Sequence, residues 1–96
     1  MNEHGPARPP EYLEVTFRHG QAIAAYLYLA RDPSEKSCRT TRVEPGMVID
    51  FNSARRAIGI ELTAPGQVFL PVLNQVLSDL GISPMTQADL APLKAA

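Results

Sequence analysis

Residues 43–62 read VEPGMVIDFNSARRAIGIEL, two alternating runs around a short polar connection. In a strand, successive side chains point to opposite faces. Met47, Ile49 and Phe51 therefore share one face, and Val48, Asp50 and Asn52 the other. Beyond the connection, Ile58, Ile60 and Leu62 form a second apolar row, opposed by Ala57, Gly59, Glu61 and Thr63. For a hairpin to bring the apolar rows together, odd-numbered residues must stand opposite even-numbered ones. A connection of two residues (Ser53 and Ala54) or of four (residues 53–56) meets that condition. A three-residue connection needs a bulge. In each case Asp50 and Glu61 fall on the less apolar face. Gly59 lies mid-strand, where glycine marks a bulge or a close backbone approach.

Upstream, Leu13, Val15 and Phe17 alternate with Glu14 and Thr16, and residues 18–21, RHGQ, form a short turn containing Gly20. Two strands so close pair as a hairpin. In the second of them, Ile23, Ala25, Leu27 and Leu29 make one row and Ala24, Tyr26, Tyr28 and Ala30 the other. A strand apolar on both sides is expected to be central, with a cover on each face. A helix is one expected cover and a partner subunit the other. Residues 31–34, RDPS, read as a turn around Pro33, and residues 35–43 as a solvated strand. Pro45 and Gly46 then turn the chain into the hairpin described first.

After the sheet, Pro71 suits a first helical turn. Val72, Leu73, Val76, Leu77 and Leu80 follow at helical spacing, with Asn74, Gln75, Ser78 and Asp79 on the wet side. Gly81 fits the residue just past the helix end, with Ile82 as its apolar follower. Thr86 and Asp89 have the spacing of a capped short turn through Leu90, limited by Pro92. The expected fold is α+β: an antiparallel β-meander of about five strands with a C-terminal helix packed on one face. Residues 1–11 read as a disordered lead-in, 12–83 as a single domain, and 84–96 as a short helical turn with a frayed tail.

The pattern carried by Gly46, Val48, Asp50, Arg56, Gly59, Ile60, Glu61 and Leu62 resembles domain of unknown function family 2283, small YuzE-like bacterial proteins. Residues 24–29, AAYLYL, resemble the family's first central strand, and the likeness spans residues 13–62. The chain departs from the family where Arg55 takes the place of a turn glycine, and where His19 and Ile23 stand in place of acidic residues. The resemblance implies a small α+β fold, no established activity, and an antitoxin-like partnership with a small toxin.

The chain has 96 residues, enough for one domain with one core. Its formal charge is −1 at pH 7, too little to attract nucleic acid or anionic lipid, so nucleic-acid contact is not expected. One cysteine, Cys38, excludes an internal disulfide framework and favours a cytoplasmic location. No apolar run reaches transmembrane length, and the opening MNEHGPARPP has no apolar signal-peptide core.

Asp50 and Glu61 are the first candidates for chemistry. A carboxylate pair can do acid–base work when one member is desolvated, but nothing in the sequence places a His or Cys beside them. His4 and His19 are scattered, and with Cys38 they do not supply the three or four ligands zinc takes. Cys38 reads as a solvated thiol. Arg31, Lys36, Arg39, Arg42, Arg55 and Arg56 give a basic accent interleaved with Asp32, Glu35 and Glu44. Tyr26 and Tyr28 read as core or interface. No phosphate loop, dinucleotide glycine pattern or catalytic triad motif occurs. The expectation is a non-catalytic protein-interaction module, homodimeric or antitoxin-like, with no cofactor and no metal. Its ligand or interface residues are Asp50, Gly59, Glu61, Tyr26 and Tyr28. The alternative is a small ligand-binding protein or hydrolase using Asp50 and Glu61.

Overall fold

The computed structural model of the protein describes residues 10–30 and 36–94. The expected turn at 31–34, most of the lead-in with His4, and the last two residues lie outside them. Five strands form one antiparallel sheet: β1 (Tyr12–Arg18), β2 (Gln21–Tyr28), β3 (Arg39–Glu44), β4 (Met47–Phe51) and β5 (Ala57–Leu62). A 3₁₀ turn (Pro65–Gln67), helix α1 (Leu70–Asp79), helix α2 (Gln87–Leu90) and a second 3₁₀ turn (Ala91–Lys94) follow. The fold is α+β with a meander-like sheet, as the alternation requires. Its strand order is β1-β2-β5-β4-β3. The hairpin β1–β2 and the meander β3–β4–β5 thus join along β2 and β5, which leaves β1 and β3 at the edges.

Parity holds through the central hairpin. Met47 stands opposite Leu62 and Ile49 opposite Ile60, odd against even. The register then shifts so that Phe51 meets Ala57, leaving Ile58 as an extra residue on β5. The connection has three residues: Asn52 donates its N–H to the Arg56 carbonyl at 2.9 Å, and Arg55 donates back to the Asn52 carbonyl at 3.0 Å. This is the bulged alternative among the loop lengths. The buried Asn52 side-chain oxygen accepts from the Ala54 and Arg56 amides, both at 2.9 Å. Arg55 adopts φ 66°, a left-handed conformation that glycine adopts without strain.

Two more bulges correct the expected rows. Between β1 and β2 the register slips after Thr16, so Ile23 is the extra residue on β2; Phe17 faces Ala22 instead. An extra residue leaves the alternation, and Ile23 is 46% exposed rather than part of the core row. Val43 is likewise the extra residue on β3 and is exposed. The β1–β2 turn places both His19 (φ 52°) and Gly20 (φ 79°) in left-handed conformations, the requirement of a two-residue hairpin loop whose twist matches its strands.

One face of the sheet carries the core. Ala25, Leu27, Leu29, Met47, Ile49, Ile60 and Leu62 pack with Leu73, Val76 and Leu77 of α1 and with Met85, Leu90 and Leu93. Fully burying each of the larger side chains stabilises by about 1.5–3 kcal/mol at most. Helix α1 ends as its sequence predicts: Ile82 donates to the Leu77 carbonyl at 2.8 Å and Gly81 (φ 75°) to Ser78 at 3.0 Å, a double closure of the last carbonyls. Thr86 and Asp89 form the reciprocal cap, at 2.8 and 3.2 Å. Two expectations need correction. Asn74 is half-buried rather than solvated; its amide grips the Met85 backbone at 3.0 and 2.8 Å and pins the C-terminal segment to α1. Leu93, expected in a frayed tail, is 2% exposed and belongs to the core.

Candidate functional site: the tyrosine face of the sheet

The register assigns the other face residue by residue. Tyr12 pairs with Tyr28, Glu14 with Tyr26 and Thr16 with Ala24; Tyr26 pairs with Glu61 and Tyr28 with Gly59; Glu61 pairs with Val48 and Gly59 with Asp50. Thr40 and Arg42 complete the face on β3, opposite Asp50 and Val48. All five candidate residues, Tyr26, Tyr28, Asp50, Gly59 and Glu61, therefore lie on one side of the sheet, away from α1.

Gly59 is the hinge of the arrangement. The Tyr26 side chain lies across it, and a Cβ at this position would overlap both the Tyr26 hydroxyl and its ring. Laid flat in this way, Tyr26 reaches over β5 to β4 and donates its hydroxyl to Asp50 Oδ2 at 2.6 Å, a short bond characteristic of a charged acceptor. Tyr28 donates to Glu14 Oε1 at 3.2 Å. Its ring stacks on Tyr12 at 4.3 Å between centroids and an interplanar angle of 15°, and meets Tyr26 at 4.7 Å and 57°. All three tyrosines of the chain thus form one aromatic strip, and ring pairs in such geometries gain energy beyond area burial. Desolvation raises the Tyr28 pKa above the ordinary tyrosine value, and the carboxylate of Glu14 and the hydroxyl of Tyr12 push it the same way.

Three carboxylates, Glu14, Asp50 and Glu61, border the strip. Asp50 is half-buried and Glu61 exposed. They share the face, but an open cleft of about 350 Å³, between the β3–β4 turn and the segment entering α1, is lined by others, among them Met47, Thr63, Val68, Phe69 and Val72. Arg18 and Arg42 have the same parity and sit at the hairpin tip and the β3 edge. Arg39 instead lies over the Phe51 ring, 5.7 Å from its centroid, and Arg55 and Arg56 are exposed in the β4–β5 loop. Cys38 is exposed and free, and His19 is an exposed turn residue. Among the described residues no group of three or more His, Cys, Asp or Glu side chains could hold a metal ion. No helix among them is long and apolar enough to cross a membrane.

Tyr12 and Glu14 complete the site without having been singled out by sequence. Parity could have found them, since the residues of β1 that oppose Tyr28 and Tyr26 must share their face.

No family model matches the chain, and neither the curated proteins nor the solved structures include a match. Four of the YuzE-like motif residues, Val48, Asp50, Gly59 and Glu61, are on the tyrosine face.

Proposed function

We propose that this chain is a small non-catalytic protein-interaction module that docks a partner on the tyrosine face. The observation that carries the reading is the aromatic strip of Tyr12, Tyr28 and Tyr26 on a sheet face that no described element covers. Tyrosine is enriched at protein interfaces because it offers rigid apolar area with a polar tip. The charge around it selects the partner. Glu14, Asp50 and Glu61 border the strip, whereas Arg18 and Arg42 sit at the hairpin tip and the β3 edge, so the complementary surface is a segment bearing Lys or Arg, stacked on tyrosine and paired with carboxylate. The same pattern opposes nucleic acid, whose phosphates the carboxylates would repel. A cytoplasmic, antitoxin-like partnership with a small toxin is the form that the YuzE-like resemblance adds, and a homodimer belongs to the same reading.

Use of Asp50 and Glu61 by a ligand-binding protein or hydrolase has less support. Asp50 is engaged by Tyr26, Glu61 is exposed, and neither lines the cleft of Met47, Val68 and Val72.

The test is capture from the native host by tagged wild-type protein beside Tyr28→Ala and Glu61→Lys variants, read by mass spectrometry. A stoichiometric small protein held by the wild type and lost from both variants supports the reading. Equal capture by all three contradicts it.

A further inference from the structure

The tyrosine face is not the only surface built for contact. Strand β1 forms one edge of the sheet and β3 the other, and an edge strand offers unpaired backbone groups to any strand that fits. The two edges are defended differently. β3 carries Arg39, Arg42 and Glu44 in six residues and is distorted by the Val43 bulge, devices that block strand addition. β1, with the sequence YLEVTFR, has seven residues and its bulge falls on β2 rather than on itself. It holds two of the large apolar side chains left exposed, Tyr12 at 57% and Phe17 at 47%.

We infer that β1 pairs with β1 of a second copy of this chain, antiparallel about Val15, to make a continuous ten-stranded sheet from two five-stranded ones. Parity selects the register. Leu13, Val15 and Phe17 alternate with Tyr12, Glu14, Thr16 and Arg18 along β1, and a two-fold pairing keeps these rows on their own faces only when it centres on a residue. Centring on Glu14 sets two glutamates against each other, which is repulsive. Centring on Thr16 leaves Tyr12 and Leu13 unpaired. Centring on Val15 pairs all seven residues. It sets Leu13 against Phe17 of the other copy, extending the core row over an exposed ring. On the tyrosine face it sets Arg18 against Tyr12, with Glu14 diagonal to it, so the cation meets a ring and a carboxylate. Backbone pairing of this kind supplies affinity and the side chains supply register.

This deepens the homodimer part of the proposed function and does not depend on the centre of the tyrosine face. Sedimentation of the purified full chain tests it, with Phe17→Lys as the variant, since Phe17 is already half-exposed and circular dichroism checks its fold. The expected result is a wild-type dimer whose dissociation constant rises at least about tenfold in Phe17→Lys, while Thr41→Lys, exposed on the opposite edge strand β3, leaves it unchanged. Register is read in a Cys38→Ser background by oxidative cross-linking of Glu14→Cys, Val15→Cys and Thr16→Cys, of which Val15→Cys is expected to cross-link to its own copy most readily. A wild-type monomer at the highest concentration attainable overturns the inference. So does a dimer indifferent to Phe17→Lys, or one cross-linked best through position 14 or 16. Partner capture that persists in a monomeric Phe17→Lys protein separates the two proposals.

Discussion

On one side of β2 and β5, Leu27, Leu29, Ile60 and Leu62 are at most 1% exposed beneath α1 and the C-terminal turns. On the other side of the same two strands, Tyr26 lies half-buried across Gly59 and Tyr28 half-buried against it, with carboxylates at their hydroxyls. Adjacent residues of one strand thus serve different ends. The first row is held by close packing, in which every methylene counts. The second is held, among the described residues, by ring stacking, hydrogen bonds to Asp50 and Glu14 and the absence of a side chain at position 59. Most of the buried apolar side chains lie on the covered face, and the tyrosine face adds ring contacts and hydrogen bonds that fix its shape.

The sharpest way to break that division is to cut the covered face. Leu73→Ala removes a fully buried side chain of α1 and is expected to destabilise by about 2–5 kcal/mol, seen as a lower urea midpoint. A cost below ~1 kcal/mol, within the range of ordinary surface changes, would mean that α1 is not packed on the sheet.

Gly59→Ala probes the open face. The new methyl displaces Tyr26 and breaks its bond to Asp50, at an expected cost of about 1–3 kcal/mol. In a Tyr26→Ala background the same change should cost little, so a double-mutant cycle isolates the coupling. Additive effects would show that the ring and the glycine are independent.

The loop that keeps the two rows in register can be improved. Arg55→Gly relieves a left-handed arginine and is expected to stabilise by up to about 1 kcal/mol, part of the gain being offset by glycine's greater freedom in the unfolded chain. Calorimetric melting reads the change, and a lower melting temperature would contradict the assigned loop.

The smallest effect is on pH dependence. Because the folded Tyr28 pKa is raised, the fold holds its proton more tightly than the unfolded chain does. The associated stability is present below the ordinary tyrosine pKa of about 10 and lost as pH rises past it. Tyr28→Phe should flatten that alkaline loss. An unchanged slope in denaturation midpoints above this range would contradict the cause assigned to the shift.

Much of this was readable in the residues. The alternation in residues 47–62 dictates which side chains share a face, and it names a bulge as the consequence of a three-residue loop. Gly81 and the Thr86–Asp89 spacing mark their caps because those motifs are local. Strand order was not readable, because alternation specifies faces and not neighbours, and β5 enters between β2 and β4. Ile23 was misplaced because one extra residue inverts parity beyond it. Leu93 looked terminal in the chain, yet it is central in space once Asn74 pins Met85 to α1. In the site, the five candidates came from β2, β4 and β5, whereas Tyr12 and Glu14 needed the β1–β2 register.

The most direct test of the division between faces is partner capture by Glu61→Lys protein whose unfolding free energy is measured on the same sample. Glu61 is exposed and pairs with Tyr26 and Val48 on the open face. The account predicts stability within about 0.5 kcal/mol of wild type together with loss of the captured protein. Undiminished capture, or destabilisation on the scale of Leu73→Ala, would contradict it.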